Sequence, residues 1–225
     1  EELNIKAITH TNYKWLFGAF GFYQGIDNEV NMDYKLQRMS TYKVYDSPTY
    51  GFALYHQSTI DKLFTDALSL TLGIRYDWEQ AHTDYKAYRS MNDTTGMTDS
   101  FKSKLTFRQL TPKATLQYTF SGSQLLYTTV SKGYKSGGFN TSFERDEDRS
   151  FEPEYSWNYE AGTKLNFWQN RIKTELSLFY IDWRNQQIYQ PLPSGKGSML
   201  KNAGRSESKG IEFALQANVC NGFMF

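Results

Sequence analysis

Little in this sequence is arranged for covalent chemistry. It has no G-x-S-x-G turn, no H-E-x-x-H helix and no glycine loop leading into Lys-Ser/Thr. His10, His56 and His82 stand far apart and unmatched, and the single Cys220 provides neither an internal disulfide nor a zinc set. No catalytic residue, metal site or cofactor is therefore expected. What remains is recognition chemistry in the polar segments. Glu144, Asp146, Glu147 and Asp148 offer carboxylates to a cation, but Arg145 and Arg149 interleave with them, as in a solvated, partly self-neutralised loop. Toward an anionic ligand those two arginines are the better candidates. Phe139, Phe143 and Tyr189, with Tyr85 and Tyr88, offer rings that can stack on a planar ligand such as a catecholate or a sugar.

The elements that must hold these loops are strands. Across residues 67–80, Leu68, Leu70, Leu72, Ile74, Tyr76 and Trp78 alternate with Ser69, Thr71, Gly73, Arg75, Asp77 and Glu79. That is period two, with one hydrocarbon face and one charged face; a helix would mix the two sets around its circumference. The same pattern recurs over residues 50–60, 156–167, 172–180 and 209–219. Across 101–120 the apolar parity switches from Leu105 and Phe107 to Leu116, Tyr118 and Phe120, and Pro112 between them predicts a bulge. Residues 26–49, 81–100, 136–155 and 185–206 are read as long polar loops, and the other connections are short. The Gly137-Gly138 pair is expected to let the chain leave the sheet through positive φ.

Composition agrees with such a wall. Apolar residues make up 39% of the 225, yet aromatics reach 17%, which suits strands with one oily face and rings at an interface. A net charge of +1, from 25 basic and 24 acidic residues, gives no general field for nucleic acid. No apolar run is long enough for a transmembrane helix, but membrane-facing and lumen-facing residues alternate in a β-barrel, so low hydropathy does not exclude a membrane. Short and long connections alternate along the chain. The prediction is an all-β, antiparallel up-and-down transmembrane barrel wall of about nine to ten strands, with short periplasmic turns and longer extracellular loops. Tyr76, Trp78, Trp157, Tyr180 and Trp183 are expected at the membrane interface.

Several segments in succession carry a family resemblance: LTLGIRYD at 70–77, LTPKATLQYTF at 110–120, GYKSGGFN at 133–140, FEPEYSWNYEAGTK at 151–164, LFYIDWRNQQI at 178–188 and NAGRSESKGIEF at 202–213. Their order resembles the barrel of TonB-dependent outer-membrane receptors. The resemblance implies a 22-stranded barrel closed by an N-terminal plug, residing in the outer membrane among its lipids. It also implies import of a scarce nutrient, such as a ferric siderophore, with energy delivered by the TonB–ExbB–ExbD complex. Residues 1–225 would form part of that barrel, with the plug, its TonB box and the C-terminal strands outside this sequence. The Asn-Pro-Asn-Leu loop of haem-scavenging members is absent from these residues. Two other classes fit the alternation, a passive porin and a soluble all-β binding or adhesion module.

Overall fold

The computed structural model describes residues 1–7, 12–92, 94–122, 124–195, 197–220 and 223–224, without the side chains of 219, 220, 223 and 224. His10, the end of the first strand and the last turn at 221–222 lie outside the described residues. In chain order the strands begin with β1 (Glu2–Ala7), β2 (Tyr13–Gln24), β3 (Asp27–Tyr34) and β4 (Met39–Asp46). There follow β5 (Thr49–Ile60), β6 (Leu68–Met91), β7 (Thr94–Ser121), β8 (Gln124–Lys135), β9 (Gly138–Phe139) and β10 (Ser150–Phe151). The last are β11 (Glu154–Phe167), β12 (Ile172–Arg184), β13 (Gln187–Pro191), β14 (Ser198–Asn202), β15 (Arg205–Cys220) and β16 (Phe223–Met224).

One antiparallel sheet runs β1-β2-β5-β6-β7-β8-β11-β12-β15-β16, each strand bonded to its neighbours, with β3 and β4 attached to it. Register carries the oily parity across the whole wall. Phe17 pairs with His56, His56 with Ile74 and Ile74 with Pro112; farther along, Tyr159 pairs with Tyr180. Side chains of paired residues share a face, so this chain of partners defines the outer, membrane-facing side. From Leu68 to Trp78 there are ten residue steps of ~3.3 Å; tilted by ~40° they rise ~25 Å, the height of an outer-membrane apolar band.

The inner face is polar and internally paired. Arg75 bonds Asp77 at 2.8 Å and sits over the Phe20 and Tyr55 rings, while Lys164 meets Glu175 at 3.0 Å. Tyr127 donates to Glu160 and lies across its pair partner Gly162, where an added Cβ would come within 2.7 Å of the ring and 2.8 Å of the Leu176 carbonyl oxygen.

Two of the four segments read as loops are strands. Residues 26–49 fold into the β3–β4 hairpin, and β4 replaces β5 as the partner of β6 from Asp84 upward. Residues 81–100 continue β6 and β7, whose ladder runs without a gap from Leu68↔Tyr118 up to Ala87↔Asp99 and then shifts register at Ala87/Tyr88. Polarity misled the sequence reading here. These strands leave the membrane, so their outward parity needs no hydrocarbon and the two-fold contrast fades.

Pro112 causes a split and not a bulge. The Thr119 N–H donates to the Ala67 carbonyl at 2.8 Å, so odd positions of β7 bond to β6 and even positions face β8. Pro112 is even, its missing N–H removes a rung toward β8, and the β7–β8 ladder ends beside it at Lys113↔Ser131. Above that point the Gln109 side chain accepts the Leu110 N–H at 3.1 Å and the Lys132 ammonium at 2.9 Å. Phe107 keeps its parity and is buried on the inner side, because apolar packing above the membrane lies inward.

Candidate ligand-facing surface

The upper β4–β6–β7 sheet presents Tyr45, Tyr85 and Ala87 inward as a buried cluster, with Val30, Phe101 and Phe143 packed against it. Phe143 arrives from the segment between β9 and β10, its ring edge-on to Tyr85 at 5.2 Å and to Phe101 at 5.7 Å. Arg149 lies over Phe101 at 4.3 Å and bonds Asp99 at 3.4 Å and Asp146 at 2.9 Å. The Tyr45 hydroxyl donates to the Thr141 carbonyl, and burial of this phenol, on a strand beyond the membrane, raises its pKa and keeps it a donor. The loop is thus anchored on the inner side of the extended wall.

A second set of contacts locks it to the β13–β14 hairpin. Asn140 is buried; its amide donates to the Asp148 and Leu200 carbonyls, each at 2.9 Å, and its Oδ1 accepts the Leu200 N–H at 2.8 Å. Asp148 is buried as well, held by Lys201 at 2.9 Å and Arg145 at 3.1 Å. Hydrogen bonds from these two cations hold its carboxyl below the usual range. Asn202 accepts the Glu152 N–H at 2.7 Å and donates back to the Glu152 carbonyl at 2.8 Å, while the Gln187 N–H donates to Glu154. Residues 136–153 and 187–202 form one body.

The glycine pair works by close approach and not by positive φ, which among the described glycines occurs at Gly122, Gly195 and Gly197. A Cβ on Gly137 would lie 2.3 Å from the Phe151 carbonyl oxygen and 2.9 Å from the Phe107 ring.

The five loop residues singled out in the sequence separate. Phe143 and Arg149 are committed to the anchor. Arg145 holds Asp148 yet keeps its side chain 55% exposed, Tyr189 is 74% exposed, and Phe139 is half-buried in β9. Among the interface aromatics, Tyr76 and Trp78 flank Phe52 at 6.5 and 5.5 Å, and Tyr180 meets Tyr159 at 6.1 Å, all on the outer parity. Trp157 shares that parity. Trp183 does not: it pairs with Ser156 and Ser206 on the inner face, because the oily set of β12 is even-numbered and Trp183 is odd. The sequence reading missed Asn140, Asn202, Gln187 and Lys201. A signal was present, since Asn140 closes the 133–140 segment and Asn202 opens that at 202–213. Among the described residues no three His, Cys, Asp or Glu side chains converge on a metal-sized site.

The sequence matches, over residues 3–225, the family described as TonB dependent receptor-like, beta-barrel. The chain belongs to the TonB-dependent receptor-like β-barrel family. Barrels of this family are outer-membrane proteins and not enzymes. A pesticin receptor of Yersinia pestis is 26% identical over 97% of this chain, and the metal-pseudopaline receptor CntO of Pseudomonas aeruginosa is 29% identical over 75%. This TonB-dependent receptor chain covers 31% of the pesticin receptor and 22% of the pseudopaline receptor. Among solved structures, the ferric yersiniabactin uptake receptor FyuA from Yersinia pestis superimposes with a TM-score of 0.78 at 22% identity, over 99% of this chain and 33% of its own. The ferric-catecholate import receptor Fiu of E. coli gives 0.57 at 14%, over 97% of this chain and 40% of its own.

Proposed function

We propose that the receptor containing this chain takes up a ferric siderophore or a related metal chelate, using energy delivered through TonB and its ExbB–ExbD partners. The observation that carries this reading is the interlocked loop body. It hangs on the inner side of the extracellular wall and leaves Tyr189 74% exposed and the Arg145 side chain 55% exposed, its guanidinium held by Glu147 at 2.7 Å and Asp148 at 3.1 Å. An exposed ring and a cation on a rigid support suit a planar, anionic chelate. The name of the metal-pseudopaline receptor points to the same ligand class. In this reading Phe139, Arg145 and Tyr189 touch ligand, while Phe143 and Arg149 position the loop that carries them.

The test titrates the full-length receptor with ferric catecholate, ferric hydroxamate, cobalamin and a maltooligosaccharide, following tryptophan fluorescence. One of the ferric chelates should bind, and Tyr189→Ala should weaken it by roughly tenfold, the worth of one good ring contact. Binding of cobalamin or the oligosaccharide alone would defeat the proposal.

A further inference from the structure

The free edge of β7 above Pro112 carries outward-facing positive charge. Lys102, Lys104 and Arg108 occupy the outer parity and are exposed, while Phe101, Ser103, Leu105 and Phe107 on the inner parity include no cation. Arg108 stands opposite Trp78 in the aromatic belt, Lys104 opposite His82 and Lys102 opposite Asp84. Lys102 shares its charge with Asp84 at 2.7 Å; Lys104 and Arg108 make no ion pair among the described residues. Asp46 lies nearby on β4, but the other carboxylates of this face stand three or more strand spacings away, ~14 Å and beyond a Debye length of ~8 Å: Asp27, Glu29 and Asp33 on β3 to one side, Asp182 on β12 and Glu207 on β15 to the other.

A second, independent feature points to an anion. Even-numbered N–H groups of β7 face β8, and the ladder between the two strands ends at Lys113↔Ser131. The N–H groups of Lys102, Lys104, Thr106 and Arg108 therefore point along the sheet into the split without a bond to β8. Lys132 borders the same split, its ammonium on Gln109. Lys104 stands four residue steps above Trp78, ~10 Å higher along the tilted strand, at the depth of lipid headgroups. Directed N–H donors and unshared cations at that depth match a phosphate held at the membrane surface.

We propose that the notch beside β7, from Lys102 to Arg108, docks a phosphorylated headgroup of an outer-leaflet lipid. This site lies on the opposite face of the wall from the loop body and operates whatever the receptor imports. To test it, the delipidated full-length receptor in neutral detergent is titrated with diphosphoryl lipid A and with its dephosphorylated form, and bound lipid is counted by native mass spectrometry. The unaltered receptor is expected to prefer the diphosphoryl lipid by roughly tenfold or more. The triple variant Lys102→Gln, Lys104→Gln, Arg108→Gln should lose that preference, whereas Lys35→Gln with Arg38→Gln, at the β3–β4 tip, should keep it. Resistance of the barrel to unfolding in cold SDS verifies each variant. Should the triple variant fail that check, Lys104→Gln alone, whose ammonium has no ion-pair partner, must show part of the loss. Equal affinity of the unaltered receptor for both lipids would overturn the proposal, as would an undiminished preference in the folded variants. Displacement of the lipid by inorganic phosphate would assign the notch to a free anion instead.

Discussion

Replacing Asn140 by Ala takes away two donated bonds and one accepted bond at a buried position, and leaves the Leu200 N–H and two carbonyls without partners. The expected loss is about 3 kcal/mol of loop closure, with the barrel itself unchanged. Hydrogen exchange would show faster labelling of residues 198–202 against constant protection of β6. Asp148 gives the loop a pH dependence of definite sign. Its carboxyl is held below the ordinary range by Lys201 and Arg145, so the folded loop binds fewer protons than the open one. Its contribution is complete above the ordinary carboxylate pKa and is lost as pH falls through the lowered value. Proteolysis within residues 141–149 by an acid-tolerant protease should therefore be flat from about pH 5 to 7 and accelerate below about pH 4. In Asp148→Asn this acid response should disappear, and cleavage should already be fast at neutral pH. Neither residue stood out in the sequence as an anchor. Asn140 looks like any loop asparagine until Leu200 arrives from sixty residues away.

Strands were legible where one face meets lipid and illegible where neither does. Leu68 to Trp78 is written in period two because the bilayer demands hydrocarbon at every second position. Replacing Leu72, on that face and near mid-height, by Arg should lower barrel stability by about 2–4 kcal/mol. Thr71→Arg, one residue away on the inner face, should cost less. Urea refolding into lipid vesicles would compare the two, and equal losses would mean that the register assigned to β6 is wrong. The same strand continues from Ala81 to Met91 with Thr83, Tyr85 and Ala87 buried inward and Lys86 exposed outward. A pattern of small, aromatic and charged residues defeats a reading based on hydrocarbon alone, although the alternation of burial persists. Trp183 was misplaced for a simpler reason: it was grouped with its neighbours by type, when its odd number already set it on the other face of β12.

At the scale of the whole molecule, a membrane wall is extended outside by β3, β4 and the tops of β6 and β7, and this extension carries the loop body on its inner side. The two loops come from different connections of the barrel and share buried groups: Asp148 with Lys201, and Asn140 with Leu200. An exchange of residues 136–153 alone with a related receptor should give a folded barrel whose foreign loop is cleaved quickly by added protease. Exchange of 136–153 together with 187–202 should restore resistance. The consequence concerns how such a receptor changes over generations. On the function proposed here, mutations in one loop are judged against the other, so a new ligand preference is reached through paired replacements or through transfer of the whole stretch from 136 to 202 in a single recombination. The intervening β11 and β12 would travel with it as passengers.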